Sequence, residues 1–188
     1  MKSYFMQGII FLLATTLFIG CEDDDDPVAP PTDEGVYSFT ISGDIEGNFS
    51  GEALFSSIED SETGETGLAL WLFTDDQNVD TGDNLWFIHL GDALPPEDTY
   101  PIGDFDDLEE DDPDPNQFYS VFMGYDDVTA IVWGESGSIT VTNSTANEFN
   151  GTFSFSAEGI ELETGEEISA DFEGEFNAVS GPIVIPEN

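Results

Sequence analysis

Apolar and polar residues alternate with a period of two in the second half of this chain. Between positions 149 and 157 the odd positions are Phe, Gly, Phe, Phe and Ala, and the even positions are Asn, Thr, Ser and Ser. Between positions 168 and 178 the even positions are apolar or small, and the odd positions are polar or acidic. A period of two is typical of a β-strand with one face buried and one face in water. We therefore predict two long strands here.

Shorter segments of the same kind precede them, separated by turns rich in Gly, Asp, Asn and Pro. No segment shows a helical period. The pattern predicts an all-β domain over residues 36–188, built as a single antiparallel β-sandwich or β-barrel of about nine to ten strands. The shorter predicted strands are 37–41, 49–55, 68–73, 85–90, 99–102, 118–125, 128–133 and 138–142.

Three stretches are apolar on both faces: 68–73, 85–90 and 118–133. Their second face cannot point into water as it does in an ordinary antiparallel sheet. It is covered by a loop or by Ile183-Val184-Ile185, or it lines an interior cavity, or it is a surface for a partner. The pattern leaves these alternatives open.

The amino terminus predicts export. A single Lys2, an apolar run from Gly8 to Ile19 and the small residue Gly20 are typical of a signal peptide over residues 1–20. Cys21 directly after Gly20 resembles the lipidation site of bacterial lipoproteins, and the acidic run that follows resembles the surface-export tag of Bacteroidota lipoproteins. The resemblance implies a lipid anchor at Cys21 in the outer membrane, with the protein facing the cell exterior. Residues 21–35 are acidic and Pro-rich, which predicts a tether.

Charge excludes several classes of function. The chain has 42 Asp and Glu residues and one Lys or Arg, a formal net charge of -41. Removing residues 1–20 would remove Lys2 and no acid, which leaves 42 acids and a charge of -42. Phosphates need Lys or Arg as partners, so we expect no nucleic-acid partner and no membrane contact except through the lipid. Cys21 is the only cysteine, so no intrachain disulfide can form.

Two acidic loops are candidate calcium sites, because calcium binds six to eight oxygen ligands. The first loop spans residues 75–84 and departs from the EF-hand pattern, with Gly82 at the seventh place and Phe87 at the twelfth. The second spans residues 104–116 and would repel itself unless something neutralised it. A solvated acidic loop without metal is the alternative for both. The candidate ligands are Asp76, Asn78, Asp80 and Asp83 in the first loop, and Asp104, Asp106, Asp107, Asp111, Asp112 and Asp114 in the second.

Catalytic signals are weak. His89 is the only histidine, no Gly-x-Ser-x-Gly motif is present, and a half-buried strand histidine is the favoured interpretation. Paired carboxylates would suit glycoside hydrolysis, but with this many acids a pair carries no information. The three tryptophans, Trp71, Trp86 and Trp133, lie in strand segments and are expected in the core unless one or two rings are exposed. We therefore predict no catalytic residues.

Four segments resemble a family of uncharacterised small β-rich lipoproteins of Bacteroidota. They are TYPIG at 99–103, GSITVT at 137–142, GTFSFSA at 151–157 and FEGEF at 172–176. The basic residues and the I-T-x-G-x-F ending usual in that family are replaced here by Ser169-Ala170-Asp171-Phe172. The family has no established activity, so the resemblance implies fold and location only.

Together these features predict a surface-exposed, lipid-anchored, non-enzymatic accessory or binding module. Calcium is the candidate ligand ion, and a surface protein or a glycan is the candidate partner. The first alternative is a β-barrel that carries an apolar ligand, which the strands apolar on both faces suggest and which an enclosed void lined by Trp71, Trp86 and Phe122 would favour. The second is a carboxylate-pair glycoside hydrolase.

Overall fold

The computed structural model describes residues 35–59, 66–74, 82–91, 94–105, 107, 114–124 and 129–181. These residues form nine strands and no α-helix, which confirms the all-β prediction. No helix within these ranges is long and apolar enough to cross a membrane. The strands are β1 (Val36–Gly43), β2 (Gly47–Glu59), β3 (Thr66–Phe73), β4 (Asn84–Leu90), β5 (Thr99–Ile102), β6 (Phe118–Gly124), β7 (Ala130–Ser144), β8 (Glu148–Glu161) and β9 (Glu167–Ser180).

The nine strands close into one barrel. Their spatial order is β1-β2-β3-β4-β6-β5-β7-β8-β9, and β9 returns to pair with β1. Neighbours are antiparallel except at two short contacts. Ile102 of β5 pairs in parallel with Phe118 of β6, and Leu54 and Phe55 of β2 pair in parallel with Val179 and Ser180 of β9. Closure leaves no free sheet edge among the nine described strands.

The two predicted strands at 128–133 and 138–142 are one strand, β7, so their separation was wrong. β7 pairs with β8 along its whole length, with register shifts between Gly134 and Ser136 and between Val141 and Asn143. Such bulges bend a strand without ending its pairing, and glycine at 134 and 137 resembled a turn in the sequence.

Aromatic rings fill the barrel interior. Phe155 and Phe172 stack with ring centroids 4.7 Å apart and an interplanar angle of 5°. Phe39 stacks on Phe49 at 4.9 Å, and Phe122 contacts both of them. All five side chains are at most 5% exposed. The described part of the interior is therefore a packed core.

Glycine makes room for these rings. A Cβ atom at Gly174 would lie 2.4 Å from the Cβ of Phe39 and 2.8 Å from the Cζ of Phe153. Both distances are shorter than any normal contact, so the interior accepts no side chain at this position.

Candidate functional site

Small polar side chains form regular rows on one outer side of the barrel. The register of β2, β1, β9, β8 and β7 aligns their outward positions across the strands. We call this surface the hydroxyl face. One row contains Ser50, Ser38, Glu175, Thr152 and Thr140, and the next contains Asn48, Thr40, Glu173, Ser154 and Ser138.

The hydroxyl face contains a depression of about 780 Å³, lined by both rows. A second depression of about 310 Å³ continues it along the strands past Ser42, Ser136, Ser156 and Asp171. A volume of several hundred Å³ is typical of a small-molecule site. Both depressions are open, and the Ser, Thr and Glu side chains that line them can hydrogen-bond to a ligand with many hydroxyl groups.

Three acids run through this surface on β9, at the alternating positions Asp171, Glu173 and Glu175. All three are exposed. The chain has no Lys or Arg after residue 2, so no side-chain cation except His89 can pair with them. Ser156 donates a hydrogen bond to Asp171 at 2.6 Å, from Oγ to Oδ1. The face therefore attracts hydroxyl donors and cations and repels anions.

Asp44 lies beyond this face in the turn between β1 and β2. Its carboxylate accepts hydrogen bonds from the backbone N of Ser169 at 2.8 Å and from the Ser169 hydroxyl at 3.0 Å. Both bonds stabilise the charged carboxylate and lower the pKa of Asp44, the backbone bond most. Asp44 therefore holds the β1–β2 turn against β9 and is already occupied by protein partners.

Only part of the predicted calcium sites lies among the described residues. In the first loop Asp83 is described, and it is 3% exposed beside the start of β4. In the second loop Asp104, Asp107 and Asp114 are described. The remaining predicted ligands lie outside the described residues: Asp76, Asn78, Asp80, Asp106, Asp111 and Asp112.

Residues at both ends of the second loop affect Tyr119. The Asp107 backbone N donates to the Asp104 carbonyl at 3.0 Å, and the Asn116 backbone N donates to Asp114 Oδ1 at 2.9 Å. Burial raises the pKa of Tyr119, and the charges of Asp107 and Asp114 raise it further. Hydrogen bonds from the Gln117 side chain and with the Asp114 backbone act in the opposite direction. Within the described ranges, however, no three acidic, His or Cys side chains cluster closely enough to hold a metal ion.

His89 points into the barrel and lies against aromatic rings. Its ring centroid is 4.8 Å from that of Phe118 and 5.6 Å from that of Tyr100. Both ring nitrogens are buried without a hydrogen-bond partner, as is the Oγ of Ser120 on the adjacent strand β6. Burial lowers the pKa of His89 below its usual value of 6.5. The histidine of a Ser-His-Asp catalytic triad forms hydrogen bonds to both a hydroxyl and a carboxylate. Among the described residues, His89 forms neither hydrogen bond.

The tryptophans lie on the opposite outer side of the barrel. Trp71 stacks on Trp86 with centroids 4.4 Å apart and meets Phe73 edge-on at 6.3 Å. Leu54 and Ile58 pack against the same cluster. Trp71 and Trp86 therefore point outward whereas Phe122 points inward, so these three side chains do not line one void. The alternation of faces along paired strands separates them.

Sequence reasoning missed the hydroxyl rows. Serine or threonine at alternate positions of 38–42, 136–140 and 152–156 was a visible signal. It identified polar faces but not their alignment, because the pairing register depends on strands far apart in the sequence.

A scan against protein-family models, a search of curated proteins and a search of solved structures all found no match to this chain.

Proposed function

We propose that this chain is a non-enzymatic binding module, held at the cell surface by a lipid on Cys21, and that its hydroxyl face binds a glycan. The observation that carries the proposal is the 780 Å³ depression lined by rows of Ser, Thr and Glu side chains. A neutral or cationic oligosaccharide is the ligand class that fits this lining.

The chemistry of the lining favours sugars over other polar ligands. Hydroxyl groups both donate and accept hydrogen bonds, and ionised carboxylates accept up to two from neighbouring sugar hydroxyls. The acids Glu173 and Glu175 lie in adjacent rows of the depression, with Ser or Thr on the strands to either side. Sulfated or phosphorylated glycans would be repelled, since no basic side chain lines the site.

A binding role without catalysis is supported by the packing of His89, which is buried among rings on the inner face, away from the hydroxyl face. The interior is filled by aromatic side chains, so the described core offers little support for an apolar-ligand carrier. Calcium binding stays a prediction. Its support is that the charges of Asp107 and Asp114, from the two ends of the loop, both raise the pKa of Tyr119.

The test of the glycan site is binding of the full chain to an array of neutral, cationic and sulfated oligosaccharides, followed by calorimetry on the strongest neutral or cationic ligand. Replacing Glu173→Gln together with Glu175→Gln, or Thr152→Val alone, should weaken binding at least tenfold, about 1.4 kcal/mol. Each change removes acceptors or a hydroxyl from the depression and leaves the inner face intact.

The matched control is Glu163→Gln together with Glu166→Gln in the β8–β9 turn. It removes the same charge from exposed positions outside the depression. Equal weakening in both double variants would assign the effect to net charge and contradict a specific site. A lack of binding to all neutral and cationic glycans would contradict the proposal itself.

The lipid anchor is tested separately, because Cys21 lies outside the described residues. Metabolic labelling with a palmitate analogue should label the chain, and Cys21→Ser should abolish the label. Protease added to intact cells should remove the domain if it faces the exterior. Protection from the protease would contradict surface exposure without affecting the glycan proposal.

A further inference from the structure

The hydroxyl face contains a regular grid on the strands β1, β9, β8 and β7. A third row continues the two rows described above and consists of Ser42, Asp171, Ser156 and Ser136. In all three rows the β9 residue is an acid, and the residues on the other three strands are Ser or Thr. Successive rows lie about 6.8 Å apart along a strand, and neighbouring strands lie about 4.8 Å apart. The acids therefore form a line along β9, with a line of hydroxyl groups on each side of it.

The two depressions of this face meet at the middle row. Thr40, Glu173 and Ser154 line both depressions, and the register places them side by side on β1, β9 and β8. From this row the first depression extends to Glu175 and the second extends to Asp171. The two outer rows are four residues apart, which is about 14 Å along an extended strand. The depressions therefore form one groove whose long axis follows β9.

Two β-bulges in β7 flank the segment 136–140, which lines the groove. The register shifts lie between Gly134 and Ser136 and between Val141 and Asn143. A bulge bends a strand and changes the direction of its side chains, and bulges are common next to active sites. The two bends therefore coincide with the two ends of the groove.

We propose that this groove binds a single unbranched, extended oligosaccharide that lies along β9, of the ribbon-like kind that β-1,4 linkages produce. The inference rests on the proposed glycan site and adds the shape and the direction of its ligand. A ribbon-like chain carries hydroxyl groups along both edges, so one edge meets the β1 hydroxyl groups and the other meets those of β8. These two lines are two strands apart, about 10 Å, which leaves room for one chain. A chain with α-1,4 linkages coils and turns successive sugars away from the grid.

The line of acids sets the direction of the chain. A chain along β9 passes Glu175, Glu173 and Asp171 in turn, whereas a chain along any one row passes a single acid. Hydrogen bonds to an ionised carboxylate are stronger than those between neutral groups, so the direction along β9 gains most. A carboxylate has about four acceptor sites, so the hydrogen bond that Ser156 donates to Asp171 leaves capacity for a sugar hydroxyl.

The first experiment compares chains that differ in linkage. Calorimetry on the full chain measures cello-oligosaccharides, which are β-1,4-linked glucose, and malto-oligosaccharides, which are α-1,4-linked glucose, from the disaccharide to the hexasaccharide. Xylo-, manno- and chito-oligosaccharides complete the β-1,4 set. At least one β-1,4 series should bind more tightly as the chain lengthens, and its hexasaccharide should bind at least tenfold more tightly than maltohexaose.

The outcomes of this comparison separate the two proposals. Equal affinity for both linkages, affinity that does not rise beyond the disaccharide, or binding only of coiled or branched glycans would overturn the extended chain and leave the glycan site in place. Absence of binding to every glycan would overturn both.

The second experiment determines how the chain lies on the face. Ser42→Tyr places a ring at one end of the groove, and Ser50→Tyr places the same ring on β2, two strands from β9. Ser42→Tyr should weaken binding of the hexasaccharide at least tenfold and of the disaccharide much less, and Ser50→Tyr should weaken the hexasaccharide less than Ser42→Tyr does. An equal or larger effect of Ser50→Tyr would place the chain across the strands and overturn its direction along β9.

Glu163→Tyr in the β8–β9 turn is the control for an added ring, because this exposed residue lies outside both depressions. It should leave the affinity unchanged. Circular dichroism shows whether each variant folds, and Ser42→Gln with Ser50→Gln repeats the comparison with a smaller side chain if a tyrosine variant does not.

Discussion

The protonation state of His89 affects the stability of the whole barrel. Its imidazole packs against Phe118 and Tyr100 with neither nitrogen hydrogen-bonded, so the neutral form is favoured in the folded state. The lowered pKa means that the unfolded chain binds more protons as the pH falls below the usual value of 6.5. This residue therefore contributes stability that is fully present above pH 6.5 and is lost as the pH falls toward the folded-state pKa.

We predict that His89→Leu reduces the loss of stability between about pH 7.5 and about pH 5, since leucine cannot take up a proton. The measurement is urea unfolding of both proteins at a series of pH values in constant salt. Both proteins carry the same Asp and Glu residues, so protonation of these carboxylates contributes equally to each. Ser120→Ala is the control, because it changes a buried polar group that does not titrate. A pH dependence identical in His89→Leu and wild type would contradict the burial effect.

At Gly174 the close packing of the interior leaves no space for a side chain. Gly174→Ala should lower the free energy of unfolding by about 1–3 kcal/mol, because the new methyl would overlap Phe39 and the Ser38 carbonyl. Gly165→Ala is the matched control. It has nothing within 4 Å, and its φ of 72° costs about 1–2 kcal/mol in backbone conformation alone. Urea unfolding should show a larger loss of unfolding free energy in Gly174→Ala, where the new methyl overlaps other atoms, than in Gly165→Ala, where it does not. No loss at Gly174 would mean that the interior can relax around a methyl group.

The β8–β9 hairpin is the element that connects the core to the hydroxyl face. Its inward positions carry the Phe155–Phe172 stack, and its outward positions carry Thr152, Ser154, Glu173 and Glu175. The strict alternation along both strands made these faces predictable from the sequence. The register between them was not predictable, since it depends on the turn and on how the whole barrel closes.

Removing one ring of this stack tests how much the packing of the β8–β9 hairpin contributes to stability. Phe172→Ala should cost about 3–5 kcal/mol of unfolding free energy, because it leaves a cavity among Phe39, Phe122 and Phe155. Phe172→Leu should cost less, as it retains most of the buried volume. Denaturant unfolding measures both. Equal, small losses for Ala and Leu would show that the rings do not pack as tightly as the centroid distances indicate.

Charge acts at the scale of the whole molecule. A net charge of -41 on 188 residues repels itself, and this repulsion destabilises the compact state. Salt screens it, with a Debye length of about 8 Å at 0.15 M and about 3 Å at 1 M. The melting temperature should therefore rise with sodium chloride.

Calcium is distinguished from general screening at matched ionic strength. If the 104–116 loop binds calcium only in the folded state, calcium at about 100 times its dissociation constant adds about 2.7 kcal/mol to the free energy of unfolding. Asp104→Asn together with Asp107→Asn and Asp114→Asn should remove that gain and leave the sodium effect. Thermal unfolding with sodium alone and with low-millimolar calcium measures this. Stabilisation that follows ionic strength alone would contradict the calcium site.

The sequence by itself determined the all-β class, most strand positions, the inward and outward faces of the strands that alternate, and the excess of acid. These are local properties, because side-chain direction alternates along any strand and charge is a matter of composition. Tertiary structure alone decided that β5 lies between β6 and β7, that β7 is one bulged strand, and that Trp71 and Trp86 point outward. It also decided that separate Ser and Thr positions align into one face with a depression. Each of these results depends on pairings between distant segments, which arise only when the barrel closes.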